Sequence, residues 1–195
     1  MKFLDQIAAQ ILGKGLPPQS ITVILPSERA KRYLLNALFK ANGGPLISPN
    51  IFTIDQWVVA LSNKTILHQT SILLSLYQVY EANLQENALS FEDYLTWGPI
   101  LLSDFDDVDR YLVDHQQLYQ NLASIKALES WQIDEDGYSA SQQKFMQFWE
   151  LIPQLHAGLQ EKNKAQNACS KAQAYRQIAE NPAQYLDKDM FFIFA

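Results

Sequence analysis

The chain has 195 residues, 48% of them hydrophobic and 18% charged, and its 15 Lys and Arg against 21 Asp and Glu give a net charge of −6. Such a composition supplies the core of one good-sized domain or two small ones and excludes a disordered chain. The acidic balance opposes unaided binding to nucleic acid, which needs clustered Lys and Arg to neutralise phosphates, and no apolar run approaches the ~18 residues of a membrane span.

Phe3, Leu4, Ile7, Ala8, Ile11 and Leu12 recur at helical spacing, and Gly13, Gly15, Pro17 and Pro18 end that first helix. Ile21 to Leu25 then reads as a short apolar strand running through Pro26-Ser27-Glu28-Arg29 into an amphipathic helix. This is where a nucleotide-binding fold carries its phosphate loop, which needs glycines to turn backbone N–H groups toward the anion, plus a Lys and a Ser or Thr. The turn has neither glycine nor Lys and adds the carboxylate of Glu28. Ser27 and Arg29, exposed beside free helix N–H groups, are candidate phosphate or DNA contacts; the competing reading of Ser27 is a helix cap.

Tyr33, Leu34, Ala37 and Leu38 form the apolar face of that helix, which Asn42-Gly43-Gly44-Pro45 closes. Lys31, Arg32 and Lys40 share it and read as a solvated face. Leu46 to Phe52 is a second extended segment, with Pro49 restricting it to an edge or a late start. Thr53 fits an N-cap with Gln56 as capping-box partner, and Trp57, Val58 and Leu61 form the face of the next helix.

From Thr65 to about Pro182 the pattern is almost wholly helical. Ile72, Leu73, Leu76, Tyr77, Val79 and Tyr80 make one stripe, Leu101, Phe105, Val108 and Leu112 another, and Leu118, Leu122 and Ile125 a third. Ser90 with Asp93, and Ser139 with Gln142, are cap signals; the latter opens a long helix with a bend expected near Pro153, followed by a polar turn at Lys162 and Lys164. Met190 to Ala195 is an apolar run suited to a buried parallel strand, and a strand at that place implies a longer polypeptide.

Asp104, Asp106, Asp107 and Asp109, with Asp114, invite a calcium or magnesium reading, but their spacing fails the EF-hand loop, and a solvated or capping face is expected. His68, His115 and His156 share no ligand spacing, so no metal site is expected. The four tryptophans, Trp57, Trp97, Trp131 and Trp149, sit among apolar neighbours and read as core, and Asp134-Glu135-Asp136 as a solvated loop. The single cysteine, Cys169, has no partner for an internal disulfide and reads as a core residue, which together with the absence of a signal-peptide pattern at Met1 to Asp5 points to the cytoplasm.

Three blocks, Ile21-Thr22-Val23-Ile24-Leu25-Pro26-Ser27-Glu28-Arg29-Ala30, Ile51-Phe52-Thr53-Ile54-Asp55-Gln56-Trp57, and Trp97 to Asp114, together resemble the N-terminal part of a bacterial PD-(D/E)XK nuclease family related to AddB and RecC, helicase-nuclease subunits of double-strand-break repair. The third block is the most specific, and the likeness spans nearly the whole chain. The resemblance implies a degenerate P-loop NTPase-like α/β fold: a small parallel sheet with flanking helices in residues 1–64 and 183–195, carrying a large all-helical insertion in 65–182. It implies an inactivated superfamily 1 helicase module with no cofactor and no catalytic residue in this segment. It carries over Thr53 as a residue near a DNA path. The implied partners are DNA in the full-length protein, a partner helicase-nuclease subunit and the protein's own C-terminal nuclease domain, with no membrane. Two rival readings are an independent α/β and helical module that binds protein only, which suits the acidic charge better, and a working nucleotide hydrolase with an unorthodox loop.

Overall fold

The computed structural model describes residues 3–130, 140–186 and 191–194. The chain is mostly helical with a small parallel sheet, and it divides into two compact units, Met1–Asn63 with Ile178–Ala195, and Lys64–Gln177.

In the first unit, β1 (Ile21–Leu25) lies between β2 (Asn50–Thr53) and β5 (Phe191–Phe194), parallel to both. Val23 is opposite Ile51 on one side and Ile193 on the other. All five residues of β1 are buried, which is why the strand reads as an unbroken apolar run rather than an alternation. Ile21, Val23 and Leu25 point to the layer made by α1 (Phe3–Gly13) and α2 (Glu28–Asn42), where Ile7, Ala8, Ile11, Leu34, Ala37 and Leu38 complete the core. Leu34 and Leu38 lose all contact with solvent, each contributing about 1.5–3 kcal/mol of apolar burial. Gly43 closes α2 at φ +73, a left-handed conformation that glycine adopts without strain.

One detail departs from the sequence reading. Tyr33 is 52% exposed: the buried stripe of α2 is Leu34, Ala37 and Leu38, and Tyr33 precedes it by one helical step of about 100°. The restriction expected from Pro49 holds: the second extended segment becomes a strand only at Asn50, at the edge of the sheet, after the buried Pro49, which has no N–H to give to a ladder. After β2, the chain enters α3 (Ile54–Ser62), whose Val58 is buried while Trp57 and Leu61 are half-buried. The short α10 (Pro182–Tyr185) precedes β5.

The second unit holds α4 (Gln69–Leu84), α5 (Phe91–Tyr94), α6 (Gly98–Arg110), α7 (His115–Ser130) and α8 (Ala140–Ala165), with α9 (Lys171–Glu180) carrying the chain past its boundary. Its core joins Ile72, Leu76 and Tyr80 of α4 to Leu101, Leu102 and Phe105 of α6 and to Leu151, Ile152, Leu155 and Leu159 of α8. Tyr94 is fully buried at the centre, its hydroxyl donating to the Leu73 carbonyl at 3.2 Å and its ring edge-on to Trp97 at 4.9 Å. Gly98 lies directly beneath that ring.

The expectation of an all-helical insertion is corrected by a parallel ladder of β3 (Thr65–Ile66) with β4 (Ala168–Cys169). Two residues per strand are too few to show a period, and the ladder forms because Asn167, at φ +49, turns the chain after α8 so that its carbonyl accepts from Thr65 N–H. Pro153 stands inside α8 without ending it, and Lys162 and Lys164 belong to its last turn rather than to a loop. Trp131, Asp134 to Asp136 and the cap signal at Ser139 lie outside the described residues. Among the described residues, no helix is long and apolar enough to cross a membrane.

Candidate functional site

The three residues read from sequence as phosphate or DNA contacts fall at or just beyond the carboxyl edge of the small sheet. Thr53 is opposite Leu25 in the β1–β2 register, and Ser27 follows two residues after Leu25. Ser27 Oγ accepts from Ala30 N–H at 3.2 Å and is the N-cap of α2. Thr53 Oγ1 accepts from Gln56 N–H at 3.3 Å while Gln56 Oε1 accepts from Thr53 N–H at 3.2 Å, a complete capping box. Both hydroxyls therefore satisfy orphan N–H groups of the helices they start. Arg29 turns along α2 instead, with Nη2 3.5 Å from the Tyr33 hydroxyl and its guanidinium 5.7 Å from the ring centroid. Glu28, Arg29, Arg32, Tyr33 and Asn36 line a shallow groove of about 580 Å³.

A denser polar constellation lies in the second unit, on residues that the sequence reading assigned to a solvated acidic face and to isolated histidines. Asp109 is only 2% exposed and His156 only 1%. The correction has a geometric cause. Asp109 is one turn beyond Phe105 and two beyond Leu102, so it continues the buried stripe of α6 where Leu112 was expected. Leu112 has left the helix, at φ +56 and largely exposed, and the turn it makes is closed by Leu112 N–H to Asp109 O and Val113 N–H to Val108 O. Asp114 Oδ1 then accepts from Gln117 N–H at 3.0 Å and caps α7, which begins with His115. This tight connection returns His115 Nε2 to within 3.1 Å of Asp109 Oδ1.

His156 comes from the core face of α8, between Ile152 and Leu159. Its ring stacks on Phe105 at 4.3 Å and lies 4.4 Å from that of His115, and Nε2 is 3.7 Å from Asp109 Oδ2. The Gln160 amide donates to His156 Nε2 at 3.2 Å, so the ring proton sits on Nδ1 and is donated to Tyr119 Oη at 2.8 Å. Arg176 Nη1 is 2.7 Å from His115 Nε2 and 3.7 Å from Asp109 Oδ1, and also donates to the carbonyls of Val113 and Val108. Since guanidinium nitrogens only donate, His115 Nε2 faces it with a lone pair.

The electrostatics follow the burial. His115 is pushed below its ordinary 6.5 by desolvation, then by His156 and Arg176, against the upward pull of Asp109. It is therefore a neutral imidazole at pH 7. The Tyr119 phenol is raised by burial and by Asp109 and Asp104, so it keeps its proton. Of the other acidic residues, Asp104 and Asp107 are exposed as expected, whereas Asp106 is half-buried and accepts from the Ser170 hydroxyl at 3.0 Å. Burial raises the Cys169 thiol as well, against a lowering by Lys64, consistent with a core residue and not a nucleophile.

The chain matches no protein-family model and no curated protein. The chemistry of the site therefore has to be read from its own atoms. One carboxylate and two imidazoles, from three different helices, converge with ligand atoms all within 4.8 Å of one another. His115 and Tyr119 of α7 and His156 and Gln160 of α8 also line a cavity of about 650 Å³, together with Trp149 and Pro153 from the same face of α8. Sequence spacing carried no sign of this, because the residues are assembled from α6, α7, α8 and α9. The one available signal was Asp109 falling on the apolar stripe of its helix.

Proposed function

We propose that the chain is a nucleotide-inert, helicase-like scaffold segment of a cytoplasmic DNA repair helicase-nuclease, which positions DNA or a partner subunit and does no chemistry of its own. The observation that carries this reading is the β1-to-α2 turn. It leaves the carboxyl end of the central strand of a parallel sheet ordered β2-β1-β5, the place where open α/β sheets bind their ligands. There the Ala30 N–H, one of the groups that would receive a phosphate, donates to the Ser27 hydroxyl, and Glu28 adds negative charge at the helix start. A degenerate P-loop NTPase-like domain has this combination: a retained frame with its anion nest filled. The assignment to helicase-nucleases rests on the resemblance of the three sequence blocks, an analogy of pattern, and in it the PD-(D/E)XK exonuclease activity belongs to another part of the whole protein.

Equilibrium titration with labelled ATP and with single-stranded DNA tests the reading; the expected result is no turnover of ATP, and tight ATP binding with turnover rejects it. The net charge of −6 favours a second reading, a module that binds protein only. The gene downstream of codon 195 separates the two, since the scaffold reading requires a long open frame encoding a PD-(D/E)XK pattern and the rival requires a stop.

A further inference from the structure

We propose that Asp109, His115 and His156 bind a divalent transition-metal ion of the zinc class, with Arg176 holding the ion's place until it enters. The inference concerns Lys64–Gln177 alone and is independent of the helicase-like reading.

Three observations lead to it. The first is the protonation pattern. Both imidazole Nε2 atoms present lone pairs, because Gln160 donates to one and Arg176 to the other, and the carboxylate adds a third set. Three lone-pair donors packed together in a buried site call for a cation among them, a place now filled by the Arg176 guanidinium, 2.7 Å from His115 Nε2 and 3.7 Å from Asp109 Oδ1. The second is distance. Asp109 Oδ1 is 3.1 Å from His115 Nε2 and Oδ2 is 3.7 Å from His156 Nε2, and one ligand atom from each of the three residues lies within 4.8 Å of the others, a set that an ion would draw in toward the about 3.3 Å between tetrahedral ligands at the usual Zn–N and Zn–O lengths. The third is the support around the ligands. Tyr119 fixes the His156 ring through Nδ1 at 2.8 Å, the outer contact that sets tautomer and orientation in histidine metal sites.

The donor set names the metal. Two imidazoles and one carboxylate suit Zn²⁺, Co²⁺, Ni²⁺ or Fe²⁺, whereas Mg²⁺ and Ca²⁺ require oxygen ligands. Three protein ligands leave at least one coordination position open, and His115 and His156 both border the 650 Å³ cavity from which water would fill it. Arg176 is the resident cation of the structure as it stands. Its Nη1 has two hydrogens and three acceptors, His115 Nε2 and the carbonyls of Val108 and Val113, so the contact with His115 is over-subscribed. The side chain is 17% exposed, and swinging it toward solvent opens the position beside His115.

The test is titration of the chelator-treated chain with Co²⁺ and Zn²⁺, read by the Co²⁺ visible spectrum and by thermal melting. The expected result is one equivalent of Co²⁺ bound with a low-symmetry, four- or five-coordinate spectrum, displaced by Zn²⁺. His115→Ala, the most exposed ligand, and Tyr119→Phe, which keeps the ring in place, are expected to weaken binding by about tenfold or more. Arg176→Gln is expected to bind more tightly than the natural chain. Uptake by Arg176→Gln alone overturns the proposal and leaves Arg176 as the permanent cation; so do stoichiometric uptake unchanged in both weakening variants, and no uptake by any of the chains.

Discussion

His156 Nδ1 donates to the hydroxyl of Tyr119 across 2.8 Å, joining two helices through an almost wholly buried imidazole. Removing that acceptor leaves a buried N–H without a partner. Tyr119→Phe is therefore expected to lower stability by about 1–3 kcal/mol, measured by chemical denaturation.

Gly98 is held by space rather than by backbone conformation. A Cβ there would collide with Cζ of Tyr94, whose ring is buried and whose hydroxyl is bonded to the Leu73 carbonyl. Gly98→Ala is expected to destabilise by about 1–3 kcal/mol, since the ring has no vacant volume to enter. A thermal melt of the variant indistinguishable from that of the natural chain contradicts this packing.

Ser27 separates capping from phosphate binding. If its hydroxyl serves α2, Ser27→Ala costs about 1 kcal/mol of stability and Ser27→Asp, another good cap, restores most of it. The same pair of variants leaves nucleotide and DNA binding unchanged, which titration of each variant reads directly.

Asp106 provides the pH dependence. Burial, its largest influence, raises it above its ordinary 3.8, so the folded chain holds this proton more tightly than the unfolded chain does. Stability from this group is present below 3.8 and is lost as pH rises through the raised folded value. Asp106→Asn keeps an acceptor for Ser170 and removes the buried charge. It is expected to raise the melting temperature at pH 7, by an amount equivalent to a few tenths to about 1 kcal/mol, and to lose that advantage near pH 3.

What was legible in the sequence was local. The strand at Ile21 to Leu25 announces itself by an unbroken apolar run, and the Ser27, Thr53–Gln56 and Ser90–Asp93 caps by side chains that reach backbone N–H groups within the same turn. Tyr33 and Leu112 were misplaced because an apolar residue one step off a stripe resembles one on it. Asp109 was misread for the opposite reason: its charge argued for solvent, and its burial is tolerable only because the turn after α6 brings back His115 while His156 and Arg176 arrive from distant parts of the chain. No sequence spacing encodes that meeting, because it depends on how α6, α7 and α8 pack.

The most direct measurement of the central claim is amide NMR of Ser27, Glu28, Arg29 and Ala30 during a titration with MgATP. A retained frame with a filled anion nest predicts no saturable shift at these four amides into the millimolar range. Saturable shifts centred on them, accompanied by phosphate release, would contradict it.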